Sequence, residues 1–236
     1  MEVSEKCRAG SRRPFAYAGF PGSTMYIPTH FEETDVTRLH ELVRANPFGT
    51  LVTVTPTGLD ANHIPFLVSP GPPPFGTLHG HVARANPVWR DARTDAEALV
   101  IFQGADRYIS PSWYASKQET QKAVPTWNYV VVHAHGPLRF IDDSAWIRTH
   151  LEALTREHES SREAPWSVGD APPGYIDAMM QHVVGIEMPI ARLTGKWKVS
   201  QNRSPRDRQG VVEGLSREGT ASAAAMAELV RRTLDS

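Results

Sequence analysis

Four histidines fall into two alternating pairs, His79 and His81 in "TLHGHVA" (77–83) and His133 and His135 in "VVVHAHG" (130–136). Side chains two apart on a strand share a face. Each pair could therefore present two imidazoles to one ligand, a transition metal included. Neither pair has a nearby carboxylate to complete a facial triad, and no HExxH pattern occurs. Immediately after the first pair come Arg84, Asn86 and Pro87. Asn86 suits a helix cap and Pro87 a first helical position. A guanidinium beside a strand-to-helix corner can hold a phosphate, and the same residues also make an ordinary turn.

Three further segments hold aromatic rings, amides and cations in short spans. "ISPSWYASK" contributes Trp113, Tyr114 and Lys117, and "VPTWNYV" contributes Thr126, Trp127 and Asn128. "GKWKVSQNR" contributes Lys198, Ser200, Gln201 and Asn202. Separately, these rings read as core or interface anchors and the lysines as a solvated face. Together they suit a flat, phosphorylated aromatic ligand: rings stack on it, amides bond its edge, and cations hold its phosphate.

The elements that must position these groups follow from pattern. Residues 32–47 predict a helix capped by Thr34 and stopped by Pro47. Strand-like text covers 49–55, 61–68, 77–83, 98–104 and a long run, 127–141, with a short helix at "NPVWRDAR". An amphipathic helix is expected from Asp143 or Ser144, with Trp146, Ile147, Leu151 and Leu154 as its apolar stripe. A short helix follows at 172–181, strand character returns over 183–200, and two helices close the chain. Short turns, rather than regular helices, separate most strands, so an antiparallel barrel decorated with helices is expected, an α+β fold.

Composition narrows the setting. The 236 residues are 40% hydrophobic and 22% charged, with a formal net charge of −1. The lack of a global basic field argues against strong non-specific DNA binding. Apolar runs are strand-length, so no membrane span is expected. A single cysteine, Cys7, rules out an internal disulfide, and a cytoplasmic setting is the expectation. Residues 1–24 read as a flexible arm, 25–203 as the main domain and 204–236 as a C-terminal helical segment.

The ordered motifs "HIPFLV", "GTLHGHVARANPVW", "ALVIFQGADRYISPSWY", "VPTWNYVVVHAHG" and "GKWKVSQNR" resemble the PaiB family, described as FMN-binding negative transcriptional regulators. The resemblance covers roughly residues 25–214. It implies a split antiparallel β-barrel, like that of pyridoxamine-phosphate oxidases and flavin reductases, in a homodimer with FMN at the subunit interface. Carried over by motif, it places Asn62, His63 and Ile64 near the isoalloxazine edge. His79, His81, Val82, Ala83, Arg84 and Asn86 then line the ribityl chain and phosphate, with Arg84 as the phosphate anchor. Trp113, Tyr114, Lys117, Thr126, Trp127 and Asn128 follow, and Lys198, Ser200, Gln201 and Asn202 come from this or the other subunit. On this reading the histidines are hydrogen-bonding groups and no metal is held.

Three roles remain open at this stage. A regulator would couple redox or metabolic state to gene repression, although no helix-turn-helix stands out and "NRSPRDR" (202–208) is the main basic cluster besides "KWK". An FMN-dependent oxidoreductase would act on NAD(P)H or a small organic substrate, with His63, His79 and His133 as proton-transfer candidates. A carrier would hold FMN or haem without turnover.

Overall fold

The computed structural model describes residues 25–234, so the expected arm and Cys7 lie outside the described residues. After a 3-10 turn at Thr29–Phe31 and a two-residue strand β1 (Glu32–Glu33), helix α1 runs Val36–Ala45. Its cap is Asp35 rather than Thr34: the Asp35 carboxylate accepts the Thr37 amide at 2.9 Å. The helix starts two residues beyond Thr34, too late for that side chain to reach its first free N–H groups.

β2 (Phe48–Thr55) and β3 (Gly58–Pro65) form a hairpin in continuous register, from Phe48 opposite Pro65 to Thr55 opposite Gly58. The single strand expected over 61–68 is divided. Phe66 is buried and donates its amide to Pro47 O at 2.8 Å, and β4 (Leu67–Ser69) then enters a different sheet. β5 occupies Thr77–Ala83 as expected. Helix α2 is only Val88–Asp91, and β6 extends to Glu97–Ile109, well past the expected end. Another 3-10 turn (Pro111–Trp113) and α3 (Ala115–Thr120) lead to β7 (Thr126–Pro137). The expected run to 141 breaks at buried Leu138, and β8 (Arg139–Ile141) joins the second sheet. Then come α4 (Ser144–Glu159), α5 (Tyr175–Met180), β9 (Val183–Pro189), β10 (Arg192–Lys198), α6 (Pro205–Arg217) and α7 (Ala221–Arg231).

All strand pairs are antiparallel, in a six-stranded sheet ordered β1-β10-β7-β6-β2-β3 and a four-stranded sheet ordered β4-β5-β9-β8. This is the α+β split barrel: two curled sheets that share a core. Leu51, Val100, Phe102 and Val132 from one sheet meet Leu78, Val82, Ile186 and Met188 from the other. Phe66 lies at the seam, edge-on to Phe102 with ring centroids 5.9 Å apart. Gly80 serves this packing, because a Cβ there would sit 3.0 Å from the Phe66 ring. The close approach that this glycine permits is to a core side chain.

The last two helices belong to the same core. Val211, Leu215, Met226 and Val230 are fully buried in it, so α6 and α7 seal one end of the barrel. Ser204 caps α6 by accepting the Asp207 amide, with Pro205 in the first turn. Gly214 on α6 lies against the face of Trp113, and a Cβ there would overlap the indole. No helix among the described residues is long and apolar enough to cross a membrane. Gly214→Ala is expected to destabilise the fold by about 1–3 kcal/mol through overpacking. Urea denaturation at neutral pH measures this, and pairing the change with Trp113→Leu should restore part of the loss.

Candidate functional site

The corner after β5 is built from hydrogen bonds across the chain. Asn86 accepts the Val88 amide at 2.9 Å and donates to Asn62 Oδ1 at 2.7 Å, but α2 begins one residue later than expected, so Pro87 and not Asn86 holds the cap position. Trp89 donates its indole N–H to Arg84 O. The Arg84 guanidinium, however, is already engaged. Nη1 and Nη2 form a bidentate pair with Asp142 at 2.9 and 2.5 Å, Nε donates to Gln181 O, and Nη2 also reaches Val183 O. The fork that the sequence left open for a phosphate thus closes on the segment between β8 and α4 and on the start of β9. With α2 only one turn long, little helix dipole remains to favour an anion there.

The first histidine pair points outward from the barrel, beneath α4. His81 Nδ1 lies 3.1 Å from His150 Nε2, and Trp146 stacks on His150 at 5.3 Å. His79 sits 3.4 Å from Ser69 Oγ and 3.8 Å from Glu187. His79, Trp146, His150 and Leu67 line a cavity of about 220 Å³. Burial lowers the pKa of His79 and His81, with Glu187 partly opposing it at His79. Burial and the neighbouring imidazoles push His150 down to about 4. The three rings are therefore neutral at physiological pH and act as the cement between β5 and α4. Among the described residues, no group of three or more His, Cys, Asp or Glu side chains is arranged to hold a metal.

A second cluster gathers where β7 and β10 run side by side. Lys198 Nζ donates to Thr126 Oγ1 and Trp127 O, both at 2.5 Å, and buried Asn128 donates to Ser200 Oγ at 2.9 Å. Gln201 braces the turn by bonding Trp197 O and the Val199 amide. Burial, then the charges of Lys196 and Arg203, lower the Lys198 pKa. None of these three cations is in an ion pair among the described residues. Trp113 and Tyr114 turn away into the packing under α6, where Arg203 lies over the Tyr114 ring at 4.8 Å. Lys117 is half-buried on α3, and Asn202 is exposed.

The outer face of the six-stranded sheet carries a groove that the motifs only partly announced. Met25, Ile101, Gln103, Asp106, Trp127, Tyr129, Val131 and His133 border about 320 Å³ of space. Asp106 organises one wall, accepting the Trp127 indole N–H at 2.8 Å and the Gln103 amide at 3.2 Å. A register shift in β6 between Gln103 and Asp106 puts that carboxylate outside the barrel. Polar residues inside an apolar strand, as in "VIFQGADRY", were the available signal for Gln103 and Asp106. Lys196, from the same "GKWKVSQNR" run as Lys198, lies between the Tyr26 and Tyr129 rings and donates to Tyr26 O at 2.8 Å.

The expected residues thus divide. Asn62, Ala83, Arg84 and Asn86 form the first corner, with exposed His63 beside it stacked on Phe48. Ile64 and Val82 face the core, and His79 and His81 lie under α4. The Lys198 cluster is elsewhere. Asn62 is level with Ala134 through Leu51 and Val100. From there to Asn128 is three strands across and six residues along, roughly 14 Å by 20 Å over the sheet.

The histidine cement predicts a pH dependence. Folded-state values below the free-histidine range mean that the unfolded chain takes up protons first. The stabilisation is complete above about pH 6.5 and is lost as pH falls towards 4. Urea midpoints should decline over that interval, and His150→Phe should flatten the decline.

Comparisons with known proteins give this geometry its family. Residues 25–192 match the family model described as "Putative FMN-binding domain". A Bacillus subtilis protein named Protease synthase and sporulation protein PAI 2 is 31% identical over 210 residues, covering 89% of this chain and 98% of that protein. An uncharacterised Emericella nidulans protein, AN0679, is 34% identical over 242 residues, covering 88% and 96%. Among solved structures, the flavocytochrome Anf3 from Azotobacter vinelandii superposes with a TM-score of 0.56 at 13% identity, covering 75% of this chain and 74% of that one. A FAD- and heme-binding protein from Mycobacterium smegmatis superposes at 0.52 with 19% identity, covering 71% and 73%. These two share the fold. The chain belongs to the PaiB-like family of FMN-binding split-barrel proteins, and FMN is the cofactor which that membership carries.

Proposed function

We propose that the protein works as a homodimer in which each FMN lies between two half-sites contributed by different protomers. One half-site is the Asn62, His63 and Asn86 corner. The other is the outer groove with Trp127, Gln103 and Lys198. The observation that carries this reading is the distance from His63 to Lys198 in a single protomer, four strands across and four residues along, roughly 19 Å by 13 Å over the sheet and further than one flavin mononucleotide reaches. The groove suits the cofactor chemically. Ile101 and Val131 offer an apolar floor, Trp127 and Tyr129 offer rings, and Gln103 offers an amide for a heterocycle edge. Lys196, Lys198 and Arg203 supply positive charge without a paired carboxylate, whereas Arg84 has Asp142. The phosphate is therefore assigned to the Lys198 side, and Arg84 becomes the clamp that holds the corner.

Bound FMN supplies hydride and single-electron chemistry, and the protein contributes position and electrostatics. Electron exchange with NAD(P)H or a small organic substrate is the use that the open groove favours. Haem in place of flavin is the lesser alternative, since the imidazoles under α4 are already engaged with one another. The family resemblance supports coupling redox state to gene repression, but the basic run at 203–208 does not supply a DNA surface. Arg206 pairs with Glu119, Arg208 bonds Thr233 O, and Arg203 covers Tyr114. Repression through this chain would need another surface.

Lys198→Ala is expected to weaken FMN binding by about 10- to 100-fold, the loss of a charge-assisted contact. Arg84→Ala should instead lower stability while leaving flavin affinity within a few-fold, as read by flavin fluorescence titration. Mixing His63→Ala with Lys198→Ala protein tests the shared site. After subunit exchange, half the dimers are mixed and each carries one intact site, so about a quarter of native flavin binding should return. No recovery after demonstrated exchange would place both defects in one protomer's site.

A further inference from the structure

A two-by-two block of polar side chains sits beside the flavin groove and shares only His133 with its wall. On β10, Arg192 and Thr194 point to the outer face, and their partners across the ladder are His135 and His133 on β7. The two imidazoles lie 6.4 Å apart. Arg192 donates from Nη2 to Glu97 at 3.3 Å, but its Nη1 is buried without a partner, as is Thr194 Oγ1. Leaving buried donors unpaired is costly, and a cost repeated at adjacent positions points to a missing acceptor.

The next strands change character. Leu99 and Ile101 on β6 stand opposite His135 and His133, and Val52 and Thr50 on β2 stand opposite them in turn. The sheet face thus passes, over three strand spacings, from guanidinium and hydroxyl, through imidazole, to aliphatic surface. Ile101 and His133 are also part of the groove wall. Charge favours an anion at the polar end. Burial lowers the pKa of both imidazoles and Arg192 lowers it further, its effect at His135 exceeding the opposing one of Glu97. The local field is therefore positive, although the block carries one acid and one guanidinium.

From this arrangement we infer that the block is a specificity site for an organic acid. Its oxyanion bonds Arg192 Nη1 and Thr194 Oγ1 beside the two imidazoles, and its apolar body lies over Leu99 and Ile101 towards the flavin. The inference rests on the flavin reading of the neighbouring groove and adds the substrate class: a carboxylate attached to an apolar or aromatic frame. A phosphate ester shares the oxyanion chemistry, but its charge matches the block without using the aliphatic strip.

The test uses full-length protein with uniformly 15N-labelled histidine, both loaded with FMN and without it. It is titrated with benzoate, with inorganic phosphate and with chloride, while the His133 and His135 resonances are followed. Saturable shifts with benzoate, at least tenfold weaker in Arg192→Met protein that keeps its FMN, are expected. Shifts with phosphate but not benzoate overturn the organic-acid assignment. No saturable shift with either oxyanion, or an equal shift in Arg192→Met, overturns the site altogether. If the wild-type protein retains no FMN, the flavin reading fails, yet the titration of flavin-free protein still decides whether the block binds an acid. If the resonances move on dimerisation alone and then ignore benzoate, the partner protomer supplies the acceptor and the inference falls.

Discussion

The long antiparallel pairing of β6 with β7 is the contact on which the remaining architecture depends. It runs from Glu97 opposite Pro137 to Ile109 opposite Thr126, joining the half of the sheet that carries β2 and β3 to the half that carries β10 and β1. Its inner side chains, among them Val100, Phe102, Val130, Val132 and Ala134, are almost wholly buried. That burial fixes the register, since slipping one residue would exchange the inner and outer sets. Because the core holds the register, the outward residues can be polar, aromatic or strained by desolvation without the pair coming apart. Gln103, Trp127, Tyr129 and His133 are held in that way.

A second constraint operates at the other sheet. α4 lies over the outward histidines of β5, and Arg84 ties the start of α4 to the ends of β5 and β9 through Asp142 and two carbonyls. The guanidinium keeps its bonding satisfied, and the imidazoles lower the cost of burial by staying neutral, although His150 Nδ1 is buried without a partner. Residues that look reactive in a linear string are here largely construction, while the less conspicuous Gln103 and Asp106 line an open groove and Arg192 keeps one nitrogen unpaired.

Local signals in the sequence survive folding well. β5 was legible to its ends because alternation and flanking residues are written in seven consecutive positions. α4 was legible from Asp143, whose carboxylate does accept the Trp146 amide at 2.8 Å. What could not be read was any pairing across distance: Arg84 with Asp142, His81 with His150, and the division of apolar runs at Phe66 and Leu138 between two sheets. An unbroken hydrophobic string carries no mark for the residue at which it changes sheets. The family motifs identified the cofactor and the fold from five ordered segments, but a motif does not say which of its side chains turn inward. Trp113, Tyr114, Ile64 and Val82 do turn inward.

The irregularity in β6 has a bearing on how the family can diverge. Before Gln103 the even-numbered residues Ala98, Val100 and Phe102 face the core, and after Asp106 it is odd-numbered Ile109 that does. One extra residue therefore reverses the parity of the strand's second half, and places Asp106 and Tyr108 outside. A descendant that lost a single residue here would keep its composition and nearly all its motif spelling. With β7 still setting the register on both sides, Asp106 would stay outside opposite Tyr129, Ile109 would stay inside, and only the bulge with its local twist would be lost. Chain length is thus least constrained across these few positions, whereas a residue lost from the regular part of β6 would turn part of the strand over.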